Sequence, residues 1–312
     1  MEETLFRAEN LSVSFQRYEQ RALEHAELRV ISDLSLDARE GEIVAVAGAS
    51  GSGKSLLAHA IMGILPPNAS VSGGLYYRGE ALDEKRQARL RGREIALIPQ
   101  SVSFLDPLMR VGVQVAGVKK RNAARQEVFG RLGLSSEVER LYPFQLSGGM
   151  ARRALVATAI IAGAQLIIAD EPTPGMDTRI ALEALRCFRE LADEGKSVIL
   201  ITHDIDLAMG IADRLAVFYA GTSVELADAQ DFIAGAYALR HPYTKALWKA
   251  LPQNGFEPIA GFQPYAGDVS TSAALAGCLF APRCPLKSAE CESAVPPMQE
   301  LRGGQVRCIH AS

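Results

Sequence analysis

The chain has little net charge: 33 basic residues stand against 36 acidic ones over 312 residues. No excess of positive charge is available for a phosphate backbone, so composition makes no electrostatic case for a nucleic-acid partner. Long apolar runs are missing too. Apolar residues make up 48% of the chain, yet no run reaches the roughly 18–20 residues that a membrane span needs. The longest candidate, Ala154 to Ala169, is broken by Gly163 and Gln165 and ends in a carboxylate pair, which suits a helix followed by a strand. The opening Met1-Glu2-Glu3-Thr4 is acidic and has no basic-then-apolar layout of a secretion signal. Internal repeats, low-complexity tracts and long heptad runs are also absent. What these absences leave is a cytosolic chain of one or two domains with a large core, part of its apolar surplus serving interfaces.

What is present is more specific. Gly48-Ala49-Ser50-Gly51-Ser52-Gly53-Lys54-Ser55 fits the phosphate-loop pattern G-x-x-x-x-G-K-[ST]. The run Glu42 to Ala47 before it reads as a buried strand. Leu56 to Ile64 after it reads as a helix stopped by Pro66 and Pro67. Gly48, Gly51 and Gly53, with Ser50 between them, let backbone N–H groups curl around phosphate oxygens, and the helix N-terminus adds its positive dipole end. Lys54 is placed for the outer phosphates and the Ser55 hydroxyl for Mg²⁺. Further on, the apolar Leu166-Ile167-Ile168-Ala169 ends in Asp170-Glu171. At the end of a parallel strand, Asp170 suits Mg²⁺, directly or through water. Glu171 is then the candidate base for a water attacking a γ-phosphate. The plainer alternative is a capped strand end before a turn at Pro172.

Around these motifs the pattern alternates. Leu5 to Phe15 and Leu28 to Leu36 look like antiparallel edge strands joined by a charged loop from Gln16 to Glu27. Val71 to Tyr77 adds a strand with Gly73-Gly74 as a bulge or turn, and Ile95 to Ile98 a short buried one. Ser101 to about Ile161 is mostly helical in pattern. Val198 to Ile201 and Leu215 to Tyr219 read as strands, the latter as the last of them, and Ile180 to Glu194 as a helix. Such alternation predicts a mainly parallel sheet covered by helices.

Leu146-Ser147-Gly148-Gly149-Met150 opens a helix shortly before Asp170-Glu171. With the phosphate loop, this arrangement resembles the nucleotide-binding subunit of an ABC transporter. The resemblance implies an α/β P-loop NTPase cassette over residues 1–236, with a mainly parallel sheet, an antiparallel β edge and a helical subdomain at about 101–161. It implies ATP and Mg²⁺ sandwiched between two subunits, with Ser147, Gly148 and Gly149 pressing on the γ-phosphate held by the other. Gln100, after Ile98-Pro99, matches the glutamine that senses Mg²⁺ and the attacking water. His203, in Ile201-Thr202-His203-Asp204, matches the switch histidine on the γ-phosphate. Phe15 aligns with the aromatic stacked on adenine, against a plain core role, with Tyr18 as a second candidate. Asp177, in Pro174-Gly175-Met176-Asp177, matches the loop that crosses to the partner subunit. Met150 and Pro174 depart from the usual Gln and Ser. A soluble ABC ATPase of DNA repair or translation, or a nucleotide sensor without catalysis, is the alternative.

Residues 237–312 are rich in Pro, Gly and Cys. His241-Pro242-Tyr243-Thr244-Lys245-Ala246-Leu247 and Gly277 to Pro285 resemble the oligopeptide, dipeptide and nickel importer branch, as do Ile259 to Pro264 and Leu105-Asp106-Pro107-Leu108. That branch implies a second, different ATPase subunit, two integral-membrane permeases and an extracytoplasmic substrate-binding protein, with this chain on the cytoplasmic face of the membrane. Peptides or nickel chelates are the implied cargo, Met150 and Ser101 to Leu108 leaning toward nickel or a metallophore. Cys278, Cys284, Cys291 and Cys308 are spaced C-x5-C-x6-C-x16-C. In this branch such tails imply a four-iron iron–sulfur cluster. Zinc is the rival, although the paired C-x2-C knuckles it favours are missing. The tail has few apolar residues, so a metal staple is expected over four unligated thiols. Cys187 reads as a buried helix thiol.

Overall fold

The computed structural model describes residues 4–18, 25–49, 51–117, 122–261 and 277–312. Strands β1 (Thr4–Tyr18) and β2 (His25–Arg39) pair antiparallel. The expected loop is shorter than its charge suggested: Gln16, Arg17 and Tyr18 carry the ladder on to Glu27, Ala26 and His25. Backbone hydrogen bonds do not require apolar side chains where the strand is exposed. Next come β3 (Ile43–Gly48), α1 (Lys54–Met62), β4 (Ala69–Tyr77), β5 (Glu80–Ala81), α2 (Glu84–Leu90) and β6 (Ile95–Ile98). Helix α1 ends at Met62, where Gly63 caps it, before reaching the prolines. Strand β4 pairs with β1, and the register slips between Glu9 and Ser12. Gly73 makes that slip possible. Its φ is 88°, and a Cβ there would lie 2.3 Å from the Asn10 carbonyl oxygen.

Three helices, α3 (Val111–Ala116), α4 (Asn122–Arg131) and α5 (Gly148–Ala162), with 3-10 turns between, form the expected helical stretch. The chain then alternates through β7 (Leu166–Asp170), α6 (Thr178–Asp193), β8 (Ser197–Thr202), α7 (Ile205–Met209) and β9 (Arg214–Tyr219). Last are β10 (Thr222–Asp228), α8 (Ala229–Ala234), α9 (Pro242–Lys249), α10 (Glu290–Ser293), β11 (Gln299–Leu301) and β12 (Gly304–Val306).

Among the described residues two sheets form. A small antiparallel one has the order β2-β1-β4-β5; a larger one runs β11-β12-β10-β9-β3-β8-β7-β6. Its five strands from β9 to β6 are parallel. Both faces of those strands are buried. Ile43, Ala45, Val198, Leu200, Ile167 and Val217 face a core shared with α5 and α6. Val44, Val46, Ile199, Ile201, Ile168 and Phe218 face a second core under α1 and the small sheet. Burial on two sides explains why the strands read as unbroken apolar runs. Leu215–Tyr219 is not the last strand: β10 turns back against β9, and the tail adds β12 and β11 beyond it.

The tail folds on aromatic and arginine anchors. Phe280 is buried edge-on to Tyr219 at 5.3 Å and against Tyr243 at 5.3 Å. Arg240, 1% exposed, pairs with Glu225 and Asp231 and donates to the carbonyls of Leu301 and Arg302. Arg307 donates to the Asp33 carboxylate and, at 2.8 Å, to its carbonyl.

These anchors remove the need for a staple, and the metal expectation is corrected. No group of three or more His, Cys, Asp or Glu among the described residues is placed to hold a metal ion, so neither the iron–sulfur cluster nor the zinc alternative on Cys278, Cys284, Cys291 and Cys308 stands. The chain itself engages these thiols. Cys308 Sγ accepts from the His310 N–H at 3.3 Å, and Cys291 Sγ lies 3.6 Å from Ser288 Oγ. Burial pushes the Cys278, Cys284 and Cys308 thiols up, Cys308 to about 11. All five cysteines are free, Cys187 buried in α6 as expected. No helix among the described residues is long and apolar enough to cross a membrane.

Candidate functional site

The site lies at the C-terminal ends of the parallel strands, where loops from several strands meet. Strand β3 delivers the phosphate loop. Gly48 pairs with Phe218 of β9, and a Cβ on it would lie 2.4 Å from the Phe218 carbonyl oxygen. The close approach of these backbones requires glycine here. Gly48→Ala is therefore expected to lower stability by about 1–3 kcal/mol and weaken nucleotide binding, as read by thermal unfolding and a fluorescent-nucleotide titration.

The loop borders a cleft of about 580 Å³ lined by Val30, Gly51, Gly53, Lys54, Ser55, Leu56, Gln100, Glu171 and His203. Ser50 lies outside the described residues. The Lys54 ammonium donates to the carbonyls of Gly48 at 2.8 Å and Ala49 at 3.0 Å. Burial pulls its pKa down, while the negative charges of Glu171 and Asp170 push back. Ser55 Oγ donates to Asp170 Oδ1 at 3.1 Å, joining the loop to the end of β7. Asp170 is 3% exposed; burial raises its pKa and the Ser55 hydrogen bond opposes the rise.

Glu171 follows with a left-handed φ of 49°, its N–H donating to the Ile201 carbonyl at 2.9 Å. That backbone turn sends its carboxylate to His203, whose Nδ1 lies 2.7 Å away. His203 comes from the end of β8 and is largely exposed. Gln100, just past β6, faces the same cleft. The donor set of a serine hydroxyl, a buried carboxylate and a glutamine suits a hard divalent cation such as Mg²⁺.

Sequence reasoning missed Val30, Leu56 and Arg152. Arg152 donates from Nη1 to the Glu171 carbonyl at 2.5 Å, and burial lowers its pKa. The available signal was Arg152-Arg153, the only charges in the otherwise apolar α5. Val30 carried no signal, being one more apolar residue of a strand.

Gly48 and Asp170 support the cleft from behind its lining, while Phe15, Ser147, Gly148, Gly149 and Asp177 are not part of that lining either. Ser147 caps α5, its Oγ accepting from the Met150 N–H at 3.3 Å, and Ser147 and Gly148 are exposed. Asp177 caps α6, accepting from the Ile180 N–H at 3.1 Å. A Cβ on Gly149 would lie 3.5 Å from the Gly175 carbonyl, so the Ser147 turn and the Asp177 loop are neighbours on one surface. Phe15 is half-buried against the second core. The side chain of Tyr18 lies outside the described residues.

A family profile described as "ABC transporter" matches residues 31–174, and one described as "Oligopeptide/dipeptide transporter, C-terminal region" matches residues 224–291. The chain is 36% identical over 317 residues to the dipeptide transport ATP-binding protein DppD of Bacillus subtilis, covering 94% of this chain and 90% of the relative. It is 32% identical over 297 residues to the oligopeptide transport ATP-binding protein OppD of Escherichia coli, covering 90% and 87%. Among solved structures, the dimeric structure of MJ0796, a bacterial ABC transporter cassette, aligns with a TM-score of 0.64 at 24% identity, covering 72% of this chain and 99% of that one.

Proposed function

The chain belongs to the ATP-binding subunits of ABC transporters, and we propose that it hydrolyses ATP to power import of dipeptides or oligopeptides. One observation carries the chemistry: Lys54, Ser55, Glu171 and His203 line a single cleft, with Asp170 hydrogen-bonded to Ser55 and His203 to Glu171. In this reading the loop amides and Lys54 hold the phosphates, and Phe15 stacks on adenine. Ser55, Asp170 and Gln100 would hold Mg²⁺, which neutralises phosphate charge when bound. Glu171 takes the proton of the attacking water on a carboxylate oxygen, and His203, hydrogen-bonded to that carboxylate, orients it. Ser147, Gly148, Gly149 and Asp177 face a second cassette, their shared exposed surface supporting that role.

We read residues 1–236 as the cassette, with its helical subdomain at about 101–161, and 237–312 as the importer-type extension. As partners we propose a second ATPase subunit, two membrane permeases and an extracytoplasmic binding protein; the likeness to peptide transport ATP-binding proteins supports this. Both named relatives are peptide transport proteins, and nothing in the comparisons supports the nickel reading. The match at residues 224–291 favours an importer over a DNA-repair or translation ATPase.

The test is reconstitution with the permeases and binding protein in proteoliposomes. ATP turnover should rise with a dipeptide or oligopeptide and labelled peptide should accumulate. In Lys54→Ala, ATP affinity should fall roughly 10- to 100-fold, since a charged hydrogen-bond donor to phosphate is lost. Accumulation of nickel without peptide, or full ATP affinity in Lys54→Ala, would sink the proposal.

A further inference from the structure

Two arginines stand side by side in α5 and hold different parts of the chain. Arg153 reaches the turn after α4, its Nη1 donating to the carbonyls of Leu132 at 2.9 Å and Gly133 at 2.8 Å. Arg152 reaches past the end of β7, and its Nη1 donates to the Glu171 carbonyl. Arg152 is half-buried and does not line the cleft. Its guanidinium therefore acts on the backbone of the candidate base and not on a nucleotide in the cleft.

That backbone needs holding. The φ of 49° at Glu171 is left-handed, a strained conformation for a residue with a Cβ. The next residue, Pro172, has no N–H with which to bond the turn in place. Two hydrogen bonds from other elements hold it instead. The Glu171 N–H donates to the Ile201 carbonyl of β8 at 2.9 Å, and the Glu171 carbonyl accepts from Arg152. They fix the peptide planes on either side of the Glu171 Cα, and with them the direction in which the side chain leaves the chain. That direction brings the carboxylate to His203. The Arg152 bond has a charged donor, which makes it the stronger kind. Without it the Glu171–Pro172 peptide plane is free to turn and relieve the strain.

Arg152 also belongs to the helix that Ser147 caps. The exposed start of α5 and the anchor on Glu171 are thus parts of one rigid element. We infer that Arg152 is a positioning residue for ATP hydrolysis: it fixes the backbone turn that aims the Glu171 carboxylate, from the same helix that Ser147 opens. The inference rests on the ATPase reading above.

The experiment is Arg152→Met in the assembled transporter, which removes the guanidinium and keeps an unbranched stem. The kcat is expected to fall about 10- to 100-fold, as for a reacting group misplaced by up to about 1 Å. The KM for ATP should stay within about twofold, because the phosphate-binding groups are untouched. The melting temperature should stay near wild type. Arg152→Lys keeps a charged donor and should recover part of the kcat. A purely structural role would lower the melting temperature and leave the kcat of the folded protein unchanged, and that result overturns the inference. Should Arg152→Met not fold, Arg152→Gln, uncharged and shorter, is measured against the same expectations. A double variant tests the route. Added to Glu171→Gln, Arg152→Met should change single-turnover hydrolysis by less than about twofold, since aim no longer matters to a side chain that takes no proton. Two losses that multiply would show that Arg152 does not act through Glu171. A wild type that does not hydrolyse ATP sinks the ATPase reading itself. An active wild type with an indifferent Arg152→Met sinks only the positioning role.

Discussion

In the assembled transporter, Glu171→Gln should keep ATP bound while turnover falls by about two to four orders of magnitude, the usual worth of a positioned general base. The carboxamide keeps the size of the carboxylate and can still meet His203, but it cannot take a proton. The backbone features of Glu171 survive the change: its left-handed φ of 49°, its N–H on the Ile201 carbonyl and its carbonyl under Arg152. The variant should therefore unfold at the wild-type temperature. A single-turnover assay with radiolabelled ATP, alongside a binding titration, separates the two effects. Near-wild-type turnover would remove Glu171 from the role of base and leave it as the partner that orients His203.

The second large effect is structural. Arg240→Met should cost about 3–5 kcal/mol of stability, because it leaves a buried carboxylate without its countercharge. Glu225 has no exposure to water, and Arg240 has almost none. The same guanidinium holds the turn between β11 and β12 through the carbonyls of Leu301 and Arg302, so the tail loses its main clasp. The double variant Arg240→Met with Glu225→Gln should recover part of the loss, since the stranded charge is gone. Urea unfolding of the three variants measures this. Equal stability of Arg240→Met and wild type would show that the pair contributes little.

How legible was all this in the sequence? The parallel strands were plain because burial on two faces makes every residue apolar. The phosphate loop was plain because a backbone wrapped around an anion tolerates few residue types. Strand β10 was hidden for the opposite reason. Its centre is Glu225, a carboxylate that reads as surface until Arg240 is seen folded onto it. The β1–β2 ladder ran past its apolar residues because hydrogen bonding, not burial, carries it there. Cysteine spacing indicated that four thiols share a segment, but not where their side chains settle. The charge of Arg152 in an apolar helix marks it as unusual, but nothing local shows that it reaches the Glu171 carbonyl.

The sheet's order also says something about how the chain must be made. Strand β3 bears the phosphate loop near the start of the chain, yet its neighbours are β8 and β9. The Ile43 N–H waits for Asp213, 170 residues later, and Asp33 waits for Arg307 across 274 residues. A ribosome releasing this chain N-terminus first exposes β3 long before either partner strand has been synthesised. Such non-local pairing slows folding and leaves apolar edges open meanwhile. The parallel sheet cannot close until β9 has been made, and the Asp33 contact not until Arg307 has, so early strands wait on late ones.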